Sequence, residues 1–197
     1  MDEIVQKLTS AQPVILPTET VYGLFAPAFD EKAVNRVYEL KQRPRDKAMN
    51  LNVASYKDIL KFSKAQPIFL KSLCEAFLPG PLTIILKAND KVPSWINSGL
   101  DTVGFRLPKH PVTQHLIKEY GPLIGPSANL SGKASGSKFD ELVVDFAGQV
   151  AGVKDDEAIT GQDSTILDLS DTRAKILRQG AITKEDLLTR VPELDFY

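Results

Sequence analysis

The chain has 197 residues, 43% of them hydrophobic and 25% charged, which is the make-up of one globular domain with a sizeable core. Its 24 Lys and Arg against 25 Asp and Glu leave a net charge of −1, so no global field draws it to nucleic acid or to a membrane, and any anion site is local. Met1, Asp2 and Glu3 are acidic where a signal peptide would be basic, and no apolar run approaches the ~18–20 residues of a membrane span, so the expected compartment is the cytoplasm with no membrane partner.

Val14, Ile15 and Leu16 form an apolar run that reads as a short buried strand. It breaks at Pro17 into Thr18, Glu19 and Thr20, two hydroxyls around a carboxylate, before Gly23 permits a tight turn. Polar groups delivered at a strand end are well placed to face a cleft. Asp30 is set to cap a helix that carries Ala33, Val34, Val37, Tyr38 and Leu40 inward and is closed off by Pro44. Lys41, Arg43, Arg45 and Lys47 crowd the loop that follows. Such cations serve equally as dipole partners on a wet helix end.

Leu51–Val53 reads as a strand, and Ser55 with Asp58 as the capping box of a short helix. Pro67 is expected to open a helix that sends Ile68, Phe69, Leu73, Ala76 and Phe77 to the core and stops at Pro79, Gly80 and Pro81. The single Cys74 lies in this helix; it excludes an intramolecular disulfide and a CxxC pair, and its apolar neighbours mark it as a buried structural thiol. Thr83–Leu86 is the next strand, followed by a polar connection, Lys87–Asp101, in which Trp95 acts as a packing anchor. Thr102–Arg106 is a strand, Pro111–Tyr120 a helix ended by Gly121 and Pro122, and Leu123–Ile124 a brief strand running into Gly125–Gly132. Ser137 with Asp140 is expected to cap a helix through Phe146. Strands at 149–153, 164–169 and 175–178 follow, and Thr183 with Asp186 caps a last helix to Arg190. Alternating and consecutive strands together predict a single α/β domain over residues 1–197, with a twisted mixed β-sheet flanked by helices.

The two histidines, His110 and His115, form no HExxH spacing, and no Cys and His cluster is present, so no metal ligand is assigned. Ser127 is not in a GxSxG elbow, there is no GxGxxG, and Gly125–Lys133 has the wrong glycine gap for a P-loop, with Ala134 where a Mg²⁺-holding hydroxyl would stand. What the chain does hold is a scatter of hydroxyls and cations at strand ends and loops. That inventory suits phosphoryl or nucleotidyl transfer, which asks for positioning and charge neutralisation more than covalent help. Taken singly, Arg106 and Arg178 read equally as surface charges, and Ser127 with Asn129 as an Asx-type turn.

Taken together, separated segments agree in order with one family. Leu16–Leu24 carries PTETVYGL; Lys41, Arg43 and Pro44 give KxRP; Pro79–Thr83 gives PGPLT; Leu100–Pro108 is similar to GLDTVxxRxP; Pro126–Gly132 gives PSANLSG; Ser164 and Thr165 stand where EST is expected; Leu177–Thr183 is similar to LRPGAIT. The chain therefore resembles the YrdC-like family of threonylcarbamoyl-AMP synthases, in a short single-domain form. The resemblance implies a reaction that joins L-threonine, bicarbonate and ATP into threonylcarbamoyl-AMP and pyrophosphate. Downstream threonylcarbamoyl-transferase proteins would then carry the group to tRNA, with at most a weak tRNA contact here.

The resemblance also implies roles for residues. Thr18, Arg106, Gly125 and Ser164 would hold threonine, the guanidinium pairing a carboxylate as Lys would not. Lys41 and Arg43 would be catalytic and, with Arg45, would bind the triphosphate, while Thr102, Ser127, Asn129, Ser135 and Arg178 would meet the nucleotide. Mg²⁺ is expected with the ATP, held mainly by phosphates and water. Asn50–Asn52 departs from the family's apolar residues and His, Asp163 replaces a Glu, Gln179 replaces a Pro, and residue 197 ends the chain before the linker and second domain of longer members. An RNA-binding module using Lys41–Lys47, Arg106 and Arg178, and a paralogue acting on another acid or amine, are the alternatives.

Overall fold

Asp2 and Glu3 occupy the positive end of a first helix, α1 (Asp2–Thr9), whose Ile4 and Leu8 are buried one turn apart. In the sequence only the acidic terminus stands out there, because two inward residues are a thin periodic signal. The structure is a computed structural model that describes all residues, Met1–Tyr197. The chain continues through β1 (Val14–Leu16), β2 (Gly23–Pro27), α2 (Glu31–Lys41), β3 (Leu51–Asn52), α3 (Tyr56–Phe62), β4 (Ser63–Lys64), α4 (Leu70–Phe77), β5 (Leu82–Ala88) and α5 (Ser94–Asn97). There follow β6 (Thr102–Arg106), α6 (Pro111–Tyr120), β7 (Leu123–Ile124), α7 (Phe139–Asp145), β8 (Ala151–Gly152), β9 (Thr165–Asp168), β10 (Lys175–Arg178) and α8 (Lys184–Arg190).

All ten strands join one mixed sheet in the order β10, β9, β5, β6, β3, β7, β2, β1, β8, with β4 added beside β5. The expected single α/β domain with a mixed sheet is the observed fold. Its central pairing, antiparallel β5 and β6, sets Ile84 opposite Phe105 and Ile85 opposite Gly104. Side chains alternate along each strand. Leu82, Ile84 and Leu86 of β5, Val103 and Phe105 of β6, Leu51 of β3 and Leu167 of β9 enter the large core beneath α2, α4 and α8. Thr83, Ile85, Arg106, Asn52, Ile166 and Arg178 turn to the opposite face. At the β7, β2, β1 end that face is covered by α1 and α6, which close a second core over Val14, Leu16, Phe25 and Leu123. Over β5, β6 and β9 it stays open.

Local chemistry explains the element ends. Asp30 accepts the N–H groups of Lys32 and Ala33 at 2.9 and 3.2 Å, and the boxes at Ser55 with Asp58 and at Thr183 with Asp186 form as expected. Trp95 anchors its loop, donating Nε1–H to the Ala28 carbonyl at 3.0 Å, although that loop also holds α5. Other elements differ from expectation. The tight turn at Gly23 is the first residue of β2, which returns antiparallel on β1. Pro67 precedes its helix by a turn, so Ile68 is 99% exposed rather than packed. Helix α7 starts two residues after Ser137: the Lys138 N–H is taken by Glu141 and the Phe139 N–H by Asp156, which leaves the Ser137 with Asp140 pair no role.

Beside the open face, the loop after β10 presses on the segment entering β9. Thr165 Oγ1 accepts the N–H groups of Gly180 and Ile182, both at 3.0 Å, and donates to the Ile182 carbonyl at 2.6 Å. A β-carbon on Gly180 would stand 2.3–2.5 Å from the backbone of Asp163, Ser164 and Thr165. Gly180→Ala is expected to cost about 1–3 kcal/mol, since rigid backbone must move to admit one methyl group, and urea denaturation of the variant checks it.

Candidate functional site

The open face is the floor of a cavity of about 310 Å³. Its wall is assembled from strand ends and from the loops 17–22, 43–50, 125–127 and 163–164. The structure brings Thr18, Arg43, Arg106, Gly125, Ser127, Ser164 and Arg178 together on that wall. Each arrives for a local reason: Arg106 and Arg178 end β6 and β10, Thr18 follows the Pro17 break, and Gly125 leaves β7 under the Phe25 ring, where a β-carbon would lie 2.5 Å from the ring.

At one end, Arg106 is 13% exposed and donates Nη2–H to Glu19 at 2.5 Å and to Thr20 Oγ1 at 2.8 Å. Thr18 Oγ1 donates to the Val21 carbonyl at 2.6 Å, so the 2.9 Å contact between the two threonine hydroxyls runs from Thr20 to Thr18. The guanidinium, both hydroxyls and the turn carbonyl thus form one chain of aligned donors. The Arg106 Nε–H is buried with no acceptor. Across β5, Arg178 donates to the carbonyl and hydroxyl of Ser164 at 3.0 and 3.1 Å, and Ser164 Oγ also meets Thr83 Oγ1 at 3.0 Å. Arg43 lines the wall between, tied to the Lys47 and Ala48 carbonyls at 3.2 and 2.9 Å, and burial lowers its pKa.

Five expected residues lie off the wall. Thr102 begins β6 four residues from Arg106, which at ~3.3 Å per residue is about 13 Å away, at the wrong end of the strand. Arg45 stacks its guanidinium 4.6 Å over Tyr38 and bonds Asn35 on the outer face of α2. Lys41 is 1% exposed and turns inward, donating Nζ–H to the carbonyls of Ser127 and Asn129, one bond behind the wall. Asn129 spends its amide N–H groups on the Leu130 and Lys133 carbonyls, and its Oδ1 is buried without a partner. Ser135 reaches the cavity only through Asp163, at 2.8 Å. In the loop at 41–47, Lys41 and Arg43 thus face inward, while Arg45 and Lys47 stay exposed.

Thr83 and Tyr22 also line the cavity, and Glu19 supports it from behind. Thr83 was legible as the partner of Ile85 in the β5 alternation; nothing in the sequence pairs Glu19 with Arg106, 87 residues away. No wall hydroxyl is bonded to a histidine or lysine side chain; His110 meets Asp155 and His115 meets Glu119. The arrangement can hold anions with three guanidinium groups, of which Arg106 is already paired with Glu19, and it presents no activated nucleophile. No cluster of three or more His, Cys, Asp or Glu side chains offers a metal cage. A second cavity, about 160 Å³, is lined by Tyr56, Ile59, Cys74, Leu78 and Leu107. Burial pushes the Cys74 thiol up to about 12, as an inert structural thiol requires.

A family model, Sua5_yciO_yrdC, described as Telomere recombination, matches residues 6–180. The chain belongs to the Sua5/YciO/YrdC family. It is similar to the threonylcarbamoyl-AMP synthase of Pyrococcus abyssi, 38% identical over 183 residues that cover 92% of this chain and 54% of that protein. The synthase of Bacillus subtilis is 39% identical over 183 residues, 91% of this chain and 53% of that protein. The chain thus spans about half the length of these curated relatives. A crystal structure of P. abyssi Sua5 complexed with L-threonine superposes with a TM-score of 0.92 at 35% identity, over 99% of this chain and 58% of that one.

Within this YrdC-type fold, Lys41 has a titration of its own. Burial, with the nearby Arg43 guanidinium, lowers its pKa from 10.5 to about 7. The neutral amine still carries two N–H donors, enough for both carbonyls. Below pH 7 the group is charged in folded and unfolded chain alike; from there to 10.5 the unfolded chain binds more protons, so this group adds stability as pH rises. The stability difference between the native protein and Lys41→Met is expected to move in favour of the native protein across that window, as urea titrations at several pH values would record. A difference flat in pH would show that the lysine titrates normally.

Proposed function

We propose that this chain is an L-threonylcarbamoyladenylate synthase, a nucleotidyltransferase that forms threonylcarbamoyl-AMP and pyrophosphate from L-threonine, bicarbonate and ATP. The observation that carries the reading is the cavity itself: three guanidinium groups, hydroxyls and a glycine backbone from distant segments converge on one space, with no nucleophile to form a covalent intermediate. The names and the L-threonine complex of the relatives support it. In this reading, Arg106 receives the threonine carboxylate, with Thr18, the Gly125 backbone and Ser164 around it. The amine condenses with bicarbonate to a carbamate and water. A carbamate oxygen then attacks the α-phosphorus, and the bond to pyrophosphate breaks.

Arg43 and Arg178 neutralise phosphate charge, and Ser127 borders the nucleotide, with Asn129 and Ser135 standing behind the wall. Lys41 acts from behind, fixing the Ser127 and Asn129 carbonyls so that the loop keeps its shape. Arg45 and Thr102 have no part. The chain has no cage for Mg²⁺, which would enter as part of the substrate on the phosphates of ATP. The product would pass to a threonylcarbamoyl-transferase for the N6-threonylcarbamoyladenosine of tRNA, in the cytoplasm. Asn50 and Asn52, two carboxamides on the wall, favour a second reading in which the same chemistry serves another amino acid or amine.

Pyrophosphate release from ATP is expected to require both threonine and bicarbonate; release indifferent to both ends the proposal, and release with a different amino acid selects the second reading. Arg106→Lys is expected to raise the half-saturating threonine concentration about 10- to 100-fold, the loss of a charge-assisted guanidinium contact that an ammonium does not reproduce, while that for ATP stays within about twofold.

A further inference from the structure

Glu19 does not touch the cavity, yet it is the residue on which the geometry of Arg106 turns. Its side chain is 19% exposed. One carboxylate oxygen accepts from Arg106 Nη2 at 2.5 Å, and the other accepts the backbone N–H of Lys109 at 2.8 Å. The carboxylate thus ties the 17–22 turn to the end of β6 and to the segment entering α6. Thr20 Oγ1 takes the same Arg106 nitrogen at 2.8 Å. Both protein acceptors sit on Nη2; Nη1 carries none and Nε is buried unpaired. An arginine with several rotatable bonds is held by one corner, which fixes its plane and leaves the Nη1 donors for a ligand.

We propose that Glu19 is the positioning residue of the amino-acid end of the cleft, holding the Arg106 guanidinium in the orientation that receives a carboxylate. The role rests on the synthase reading for its ligand, but not for the geometry. A carboxylate at this spot also cancels the charge of Arg106, so selection there relies on aimed N–H donors rather than on net charge, and the more anionic triphosphate is left to Arg43 and Arg178.

The test compares Glu19→Ala and Glu19→Gln with the native protein. The expected result is a half-saturating threonine concentration raised about 10-fold or more in Glu19→Ala, with kcat and the value for ATP within about twofold. Glu19→Gln, which keeps one acceptor oxygen, is expected between the two. Independently of turnover, the ¹⁵N side-chain resonances of Arg106, assigned by their loss in Arg106→Lys, are expected to show hindered guanidinium rotation in the native protein and free rotation in Glu19→Ala. Equal losses for threonine and ATP, or a threonine value unchanged in a folded Glu19→Ala protein, overturn the proposal. Should Glu19→Ala fail to fold, Glu19→Gln gives the same readouts. If the native protein makes no use of threonine, the synthase reading fails, and the Arg106 resonances alone decide whether Glu19 holds the guanidinium.

Discussion

Every side chain of β6 must go to one of two faces, and the five residues Thr-Val-Gly-Phe-Arg admit only one assignment. Val103 and Phe105 are buried in the main core, and Gly104 and Arg106 take the other face. A slip of one residue would drive a guanidinium into hydrocarbon and expose a phenylalanine. Its partner β5 obeys the same rule, with Ile84 inward opposite Phe105 and Thr83 outward. The helices therefore gather over the apolar face, and only α1 and α6 are needed at the end of the other, where Phe25, Leu16 and Leu123 demand cover. The cavity is the part of the sheet for which the chain supplies no apolar lid.

Cations on such a floor must be restrained without being used up. Lys41 and Arg43 bind backbone carbonyls, Arg178 a serine carbonyl and hydroxyl, and Arg106 a single carboxylate oxygen and a hydroxyl. Arg43 and Arg178 thus keep neutral partners at hydrogen-bond distance, so their charge is not cancelled, while Lys41 stands behind the floor with its pKa lowered to about 7. Asp163 stands 4.0 Å from Arg178, beyond direct hydrogen bonding. The acceptors set side-chain directions before any ligand arrives, which lowers the ordering cost of binding.

This division explains what the sequence could and could not disclose. Period-two patterns and caps located β6, β7, β10 and the helices at Asp30, Ser55 and Thr183, because those signals are local. Motif resemblance gathered Thr18, Arg43, Arg106, Gly125, Ser127, Ser164 and Arg178 without saying how they meet. It did not show that one motif spans two places: Thr102 and Arg106 share a strand and therefore stand about four strand rises apart. Nor did it show where Lys41 and Arg45 point, since the direction of a long side chain at a helix end depends here on the Ser127 loop and on Tyr38. Glu19 was in plain view, but its role depends on a partner 87 residues away.

The turn between β1 and β2 shows why so short a stretch carries so much. The Pro17 carbonyl accepts from Thr113 of α6 at 2.6 Å, Thr18 closes onto Val21, Glu19 binds Arg106 and Lys109, and the Thr20 carbonyl accepts from Gly161 at 2.9 Å. Tyr22, buried, donates its hydroxyl to Asp156 and accepts the Asp155 N–H. Successive residues of one turn thus hold α6, the end of β6 and the segment before β9, each of which brings or backs a piece of the wall. Because the partners are different elements, an error at one residue of the turn is not repaired by its neighbour. The loop works as a hub whose side chains space the surrounding elements, and the cavity is the gap those spacings leave.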